Sequence, residues 1–203
     1  MKKLLCIGLA FCMLCLCACG ADKNDASSKP QENSVIADAA ESGVLEVSKF
    51  GLGAAQDEVK KHYQKLVDDY NKLHKDEDEE EHDHNHSDEI IPFYDIDLKG
   101  KYTEIDVATC RFYYENKNQD KGIVAIATDT NVLGFEMGIT TKQEVEEAVG
   151  KKGEVFAATK EEETFLAFPL ENLTIFRVEY TKAVLDFYFY ENTLVNAVLK
   201  SAE

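Results

Sequence analysis

Apolar residues recur at helical spacing in the first half of the chain. Between Ala54 and about Lys75 they follow one another at intervals of four, three, four and three residues, which places them on one face of an α-helix. The members of this stripe are Val59, Tyr63, Leu66, Tyr70 and Leu73. The spacing therefore predicts a helix whose apolar face packs on the core.

β-branched and aromatic residues dominate two stretches in the middle of the chain, from Tyr102 to about Glu115 and from Gly122 to about Thr128. Such residues favour strands, and the polar sequence NKNQDKG between them predicts a hairpin with a long loop. Further strands are predicted for ETFLAFP, LTIFRVEYT, AVLDFYFY and TLVNAVLKS, all after residue 160. Between the last two, we expect Glu191 and Asn192 at the tip of a tight turn.

A second, shorter helix is predicted by the residues at its two ends. Thr140 or Thr141 can cap its start, and Gln143 or Glu144 can complete a capping box. Gly150 can end the helix, because glycine adopts the left-handed conformation that follows many helices.

A weak internal repeat relates the two predicted helices. FGLGAAQDEVKKHY and FEMGITTKQEVEEAV both contain an aromatic residue, a glycine and a polar stretch that ends in Glu-Val, and strands are predicted after each. We therefore expect an α+β fold of two layers, in which helices pack on an antiparallel sheet. It is built from two degenerate tandem helix-and-sheet units, at residues 44–130 and 131–203.

The second unit resembles a class of small bacterial envelope domains. Its sequence GITTKQEVEEAVG, followed by LDFYFYENTLVNAV, is similar to the outer-membrane-assembly lipoproteins of the SmpA/OmlA type and to the repeat of the β-lactamase inhibitory protein. The similarity covers about Phe135 to Ser201. The first unit departs from it, with Ala54 and Ala55 where threonine is expected and with a longer helix.

Residues 1–19, MKKLLCIGLAFCMLCLCAC, carry two lysines directly after Met1 and continue with an apolar run too short for a permanent membrane span. The run ends in LCAC, which resembles the lipobox of bacterial lipoproteins. This resemblance implies that Cys19 is lipidated and anchors the mature protein on the extracytoplasmic side of the membrane, in the bacterial cell envelope. Residues 20–43 are polar and predict a flexible tether.

Charge and composition narrow the possible functions. The chain has 39 acidic and 22 basic residues and a formal net charge of −17, which argues against binding to nucleic acid. The motifs of phosphate-binding loops, serine hydrolases and zinc proteases do not occur, so nothing in the sequence indicates an enzyme. Cys110 is the one cysteine after residue 19, and we expect it to be a small buried residue in a strand.

The sequence KDEDEEEHDHNHSDE, residues 75–89, places His82, His84 and His86 at alternate positions in an acidic run. Zinc binds imidazole nitrogens and carboxylate oxygens, so these histidines, with Asp83 and Asp88, are candidate ligands for zinc or another divalent transition metal. The run also resembles the acidic, histidine-rich loops of bacterial zinc-uptake lipoproteins, although the rest of the chain does not. The alternative is a charged linker without a ligand.

In AVLDFYFYEN, residues 183–192, a leucine and two phenylalanines alternate with an aspartate and two tyrosines. If the first set covers the core, Tyr188 and Tyr190 lie on the opposite face of the sheet. That face either is exposed and contacts another envelope protein, or packs on the other unit. The sequence thus leaves two functions, a metal-binding lipoprotein and a protein-interaction scaffold or inhibitor-like module.

Overall fold

The computed structural model describes residues 32–74, 94–98 and 100–202, and these ranges have the predicted α+β fold. The three longest helices pack on one face of an antiparallel sheet, and a long connection that contains one short helix covers part of the other face. The helices within these ranges are α1 (Ser34–Ser42), α2 (Gln56–His74), a 3₁₀ helix (Gln119–Lys121), α3 (Lys142–Val149) and α4 (Lys160–Glu163). The strands are β1 (Tyr94–Leu98), β2 (Tyr102–Val107), β3 (Cys110–Glu115), β4 (Ile123–Thr128), β5 (Glu154–Ala157), β6 (Thr174–Glu179), β7 (Ala183–Tyr190) and β8 (Thr193–Ser201).

These eight strands of the described ranges form one continuous sheet in the order β1-β2-β3-β4-β8-β7-β6-β5, and all neighbours are antiparallel. The first four strands follow α2 in the chain, and the last four follow α3. The two sets meet where β4 pairs with β8, with Ala125 opposite Lys200 and Thr128 opposite Ala197. The two predicted helix-and-sheet units therefore share a single sheet.

Local signals fix the ends of α3 and the tip of the last hairpin, as predicted. The Thr141 side-chain oxygen accepts a hydrogen bond from the Glu144 N–H, and the Glu144 carboxylate accepts one from the Thr141 N–H at 2.8 Å. Gly150 ends the helix with φ 65°. Glu191 and Asn192 have φ of 46° and 73°, which are the positive values that a tight two-residue hairpin turn requires.

The main core lies between the helices and one face of the sheet. Ile36 of α1, Val59 of α2 and Val145 of α3 are fully buried in the same cluster as Phe187 of β7. Cys110 also lies in this cluster and is 3% exposed, which confirms that it is a small buried residue. Burial raises the pKa of its thiol to about 11, so the thiol stays protonated at neutral pH.

The prediction of a flexible tether over residues 20–43 is wrong for its last part, because that part forms α1. The Asn33 side chain caps the helix by accepting a hydrogen bond from the Val35 N–H at 3.0 Å, and Gly43 ends it with φ 71°. The buried residues of the helix are Ile36, Ala39 and Ala40. Their spacing is helical, but two of the three are alanines, so the segment carries little hydrophobic signal beside its polar neighbours.

The apolar face of α2 differs from the predicted stripe. Val59 and Val67 are buried and Tyr63 is half-buried, whereas Leu66 is 50% exposed and Tyr70 is 39% exposed. The inward-facing residues therefore recur every four positions, and Val67 takes the place predicted for Leu66. Intervals of three and of four residues fit 3.6 residues per turn about equally well, so spacing alone could not show whether Leu66 or Val67 faces the core.

The predicted strand ETFLAFP is wrong. Its residues belong to the long connection between β5 and β6, residues 158–173, which we call the strap. The sequence also did not predict β5, whose residues are mostly exposed at the edge of the described sheet. The stretch from Tyr102 to Glu115 contains two strands, β2 and β3, which are separated by a two-residue turn at 108–109.

Candidate functional site

The predicted metal ligands and the lipid-attachment residue lie outside the described residues. They are His82, Asp83, His84, His86, Asp88 and Cys19. The histidine-rich run is preceded by α2, which ends at His74, and is followed by β1, which begins at Tyr94. Within residues 32–74, 94–98 and 100–202, no group of three or more His, Cys, Asp or Glu side chains is placed to hold a metal ion.

The structure separates the two tyrosines that were predicted to form a contact pair. Tyr188 is fully buried, and its hydroxyl donates a hydrogen bond to the Glu162 carbonyl at 3.1 Å. Tyr190, the last residue of β7, is 39% exposed. The prediction that Tyr188 contacts a partner is therefore wrong, because the strap covers the part of the sheet face on which it lies.

The covered face carries a second apolar cluster. It combines strap residues with residues of β3, β4, β6, β7 and β8, and it therefore spans both halves of the sheet. The buried members are Tyr113, Ala125, Ala127, Phe165, Leu173, Ile175, Tyr188 and Val198. The face is packed and not exposed, but its cover is the strap, which belongs to the same predicted unit as Tyr188 and not to the other unit.

Phe165 fixes the strap to the sheet through both its backbone and its ring. Its carbonyl accepts hydrogen bonds from Arg111 Nη2 at 3.3 Å and from Asn196 Nδ2 at 3.2 Å, and both donors are buried. Its ring lies 4.9 Å from the Tyr113 ring in an edge-on contact, and Lys200 Nζ lies 4.4 Å from its centroid. Aromatic and cation–π contacts of this kind add to the apolar burial.

A buried carboxylate on β7 organises the charges of the same face. Asp186 is fully buried and accepts hydrogen bonds from Arg177 Nε at 2.7 Å and Nη2 at 2.8 Å, while Lys200 Nζ lies 2.7 Å from its Oδ2. Arg177 also stacks over the Phe156 ring at 4.8 Å and lies 3.7 Å from a Glu162 carboxylate oxygen. The fork of Arg177 and the Lys200 ammonium together compensate the buried charge.

Four polar side chains form a square on β2 and β3. Glu104 lies opposite Tyr113, and Asp106 lies opposite Arg111. Burial raises the pKa values of Glu104 and Asp106, although the Arg111 guanidinium opposes both shifts. Arg111 Nε and the Tyr113 hydroxyl are buried and have no hydrogen bond of ordinary geometry to another described residue.

A groove of about 240 Å³ lies on the opposite side of the body, beside α1. Val35, Ala39 and Leu133 line its apolar part, and Asp38 and Glu46 also contribute to its wall. Glu46 is held in place because its carboxylate accepts a hydrogen bond from the Leu133 N–H. The groove is open and mostly apolar, so it contains no evident reactive group.

The tip of the strap is a surface that sequence reasoning missed. Ala167, Phe168 and Pro169 are exposed, and the Phe168 side chain is 71% exposed. The signal in the sequence was the Phe-Pro pair inside ETFLAFP, since proline disfavours the interior of a strand. The apolar composition of the segment concealed that signal by suggesting a strand.

Comparison with known proteins leaves the family of this chain open. No protein-family model matches it, and no curated protein matches it. A crystal structure of a DUF4309 family protein, YjgB from Bacillus subtilis, aligns with a TM-score of 0.37 and 16% identity, over 53% of this chain and 68% of that chain. A similarity of this size supports no functional conclusion. Among the described helices, none has an apolar stretch long enough to cross a bilayer.

Proposed function

We propose that this protein is an exported bacterial lipoprotein, anchored through Cys19 outside the cytoplasmic membrane, that binds zinc or a similar divalent metal through residues 75–89. The observation that carries the proposal is the alternation of His82, His84 and His86 within a run of carboxylates. Three imidazoles can supply most of a four-ligand site, and Asp83 or Asp88 can complete it with oxygen.

The described residues contain no cluster suited to a metal ion, and the buried charges of the covered sheet face are engaged with one another and with the strap. The proposal therefore rests on the sequence of the run between α2 and β1. Because the surrounding carboxylates favour protonated imidazole, binding should weaken as the pH falls and protons compete.

Zinc titration by calorimetry tests the proposal, on the chain from Gly20 onward and on a variant with His82, His84 and His86 changed to serine. We expect micromolar or tighter binding that the triple variant loses and that weakens between pH 7.5 and pH 5.5. His74→Ser, at the end of α2, is the matched control and should bind as the unmodified chain does. Absent binding, or equal weak binding to all three proteins, would reduce the run to a charged linker.

A protein-interaction module is the second candidate function. The burial of Tyr188 removes one half of the predicted contact pair, and Tyr190 remains at the surface. The observation that favours an interaction role is the exposed apolar tip of the strap, where Phe168 is 71% exposed. Large exposed aromatic side chains are typical anchors of protein interfaces.

A further inference from the structure

The strap is much longer than its connection requires. β5 and β6 are antiparallel neighbours, and Ala157 at the end of β5 pairs directly with Thr174 at the start of β6. Such neighbours are usually joined by about two to five residues, whereas the strap occupies residues 158–173. Long connections with little regular structure commonly serve a function of their own, so the additional length calls for a role beyond joining two strands.

The strap is fixed on both sides of its tip. On one side, the Phe165 carbonyl is held by buried Arg111 and Asn196, as described above. On the other side, Leu173 is 3% exposed, and its carbonyl accepts a hydrogen bond from the Ala158 N–H at 2.9 Å. The residues between these points are therefore presented on a pinned support, which lowers the entropy that a binding partner must remove.

The tip has the composition of an interface anchor. Ala167, Phe168 and Pro169 are consecutive and exposed, and the fixed φ of proline restricts the backbone next to the aromatic side chain. Phe168 is more exposed than any other large hydrophobic residue of the described chain, at 71%. A buried aromatic anchor surrounded by polar contacts is the usual energetic centre of an interface.

The charges beside the tip indicate the kind of partner. Glu163 and Glu171 are exposed, and among the described residues neither carboxylate has an ion pair, while Glu161 is paired with Lys101. The chain as a whole is also acidic, with a formal net charge of −17. A surface of anionic lipids would repel such a tip, whereas lysine or arginine side chains on a protein would attract it.

We propose that the strap tip is a protein-docking surface, in which Phe168 inserts into an apolar pocket of a partner protein and Glu163 and Glu171 meet basic residues at the rim of that pocket. This site shares no residue with the histidine-rich run, so a failure of the metal-binding proposal and a failure of this one are measured independently. The strap acts as the rigid support, and the sheet face beneath it serves to hold that support in place.

Photocrosslinking in the cells that make the protein locates the partner. The full chain carries benzoylphenylalanine at position 168 or, as the control, at position 190, and mass spectrometry identifies the adducts.

We then expect the purified partner to bind the unmodified protein and to bind Phe168→Ser about tenfold or more weakly, as is typical of an anchor residue. Tyr190→Ser, which removes another exposed aromatic ring, should bind normally, and Glu163→Gln with Glu171→Gln should reduce the salt dependence of association.

Two results would overturn the proposal. The first is that position 168 yields no specific adduct beyond those at position 190, or that Phe168→Ser binds the identified partner as well as the unmodified protein does. The second concerns vesicles that contain phosphatidylcholine and phosphatidylglycerol in equal amounts. If the unmodified protein binds them and Phe168→Ser does not, the tip is a membrane contact. Equal urea-unfolding midpoints for the serine variants and the unmodified protein establish that they remain folded.

Discussion

Several charged residues lie on the covered sheet face, and one of them is a fully buried carboxylate. Asp186 is fully buried between Arg177 and Lys200, which keep 25% and 18% of their side-chain surface exposed. This group of three charges is thus asymmetric, because the carboxylate is surrounded by protein while both cations retain contact with water. Removing the anion should therefore cost more than removing a surface charge.

Asp186→Asn tests this asymmetry. The substitution leaves Arg177 and Lys200 without their shared counter-charge, and we expect a loss of about 3 kcal/mol in the free energy of unfolding, near the lower end for a broken buried pair. The estimate is low in that range because Arg177 keeps its contact with Glu162. Urea unfolding measures the loss, with Glu146→Gln in the exposed Lys142–Glu146 pair as the control. If both variants lost equally little stability, the buried carboxylate would not organise this face.

Glu104 should make stability depend on pH in the direction opposite to most carboxylates. Burial raises the pKa of Glu104 in the folded protein, whereas the unfolded side chain ionises near about pH 4.3. Between that pH and the higher pKa of the folded protein, the folded state holds a proton that the unfolded chain releases. The contribution of Glu104 to stability is complete below this pH range and is lost as the pH rises through it. Compared with Glu104→Gln, the unmodified protein should therefore lose stability with rising pH.

Urea unfolding of both proteins from pH 4 to pH 8 measures this difference. Subtracting the two curves removes the contributions of carboxylates with lowered pKa values, such as Glu115 and Glu144. A difference that stays flat, or that changes sign so that the unmodified protein gains stability with rising pH, would show that Glu104 ionises in the folded protein as readily as in the unfolded chain.

At the scale of elements, local signals were predictable and distant contacts were not. Thr141, Glu144 and Gly150 fix α3 through hydrogen bonds within a few residues, so the sequence was sufficient. The strap is fixed by Phe165, whose partners Arg111 and Asn196 lie 54 and 31 residues away in the chain. Its apolar residues looked like those of a strand because nothing nearby shows that they pack on a sheet face instead of joining the sheet.

α1 shows the same limitation at the start of the body. The segment is polar in composition, but the Asn33 N–H donates to the Ala148 carbonyl at 2.9 Å, and the Tyr180 hydroxyl donates to Glu32 at 2.6 Å. Both partners belong to the second half of the chain. A tether that docks as a helix in this way is part of the folded unit.

Two neighbouring residues on α1 test its contribution. Ile36 is fully buried and Val35 is 39% exposed, so Ile36→Ala should lower the free energy of unfolding by about 2–5 kcal/mol, while Val35→Ala should change it little. Urea unfolding of the two variants gives the comparison. Similar small effects for both would mean that α1 rests on the body without stabilising it.

For the whole molecule, the sequence predicted two helix-and-sheet units but not how they join. The β4–β8 pairing connects strands about seventy residues apart, and no local pattern specifies it. Contacts between separate segments also explain why the candidate site residues were predicted unevenly. Tyr188 and Tyr190 alternate on one strand and looked equivalent, but the strap, which enters from a different part of the chain, covers only Tyr188.

Three connections cross between the halves, and together they predict that the body unfolds as one unit. β4 pairs with β8, α1 packs on β7 from the N-terminal side of the chain, and the strap places Phe165 against Tyr102 and Tyr113 of the first half. Ile105→Val on β2 should therefore lower the stability of distant β7 as much as that of β2, by about 1 kcal/mol. Native-state hydrogen exchange reports the opening free energy of amides on each strand. A decrease confined to β1–β4, or separate unfolding transitions for the two halves, would mean that the shared sheet joins two units that remain energetically independent.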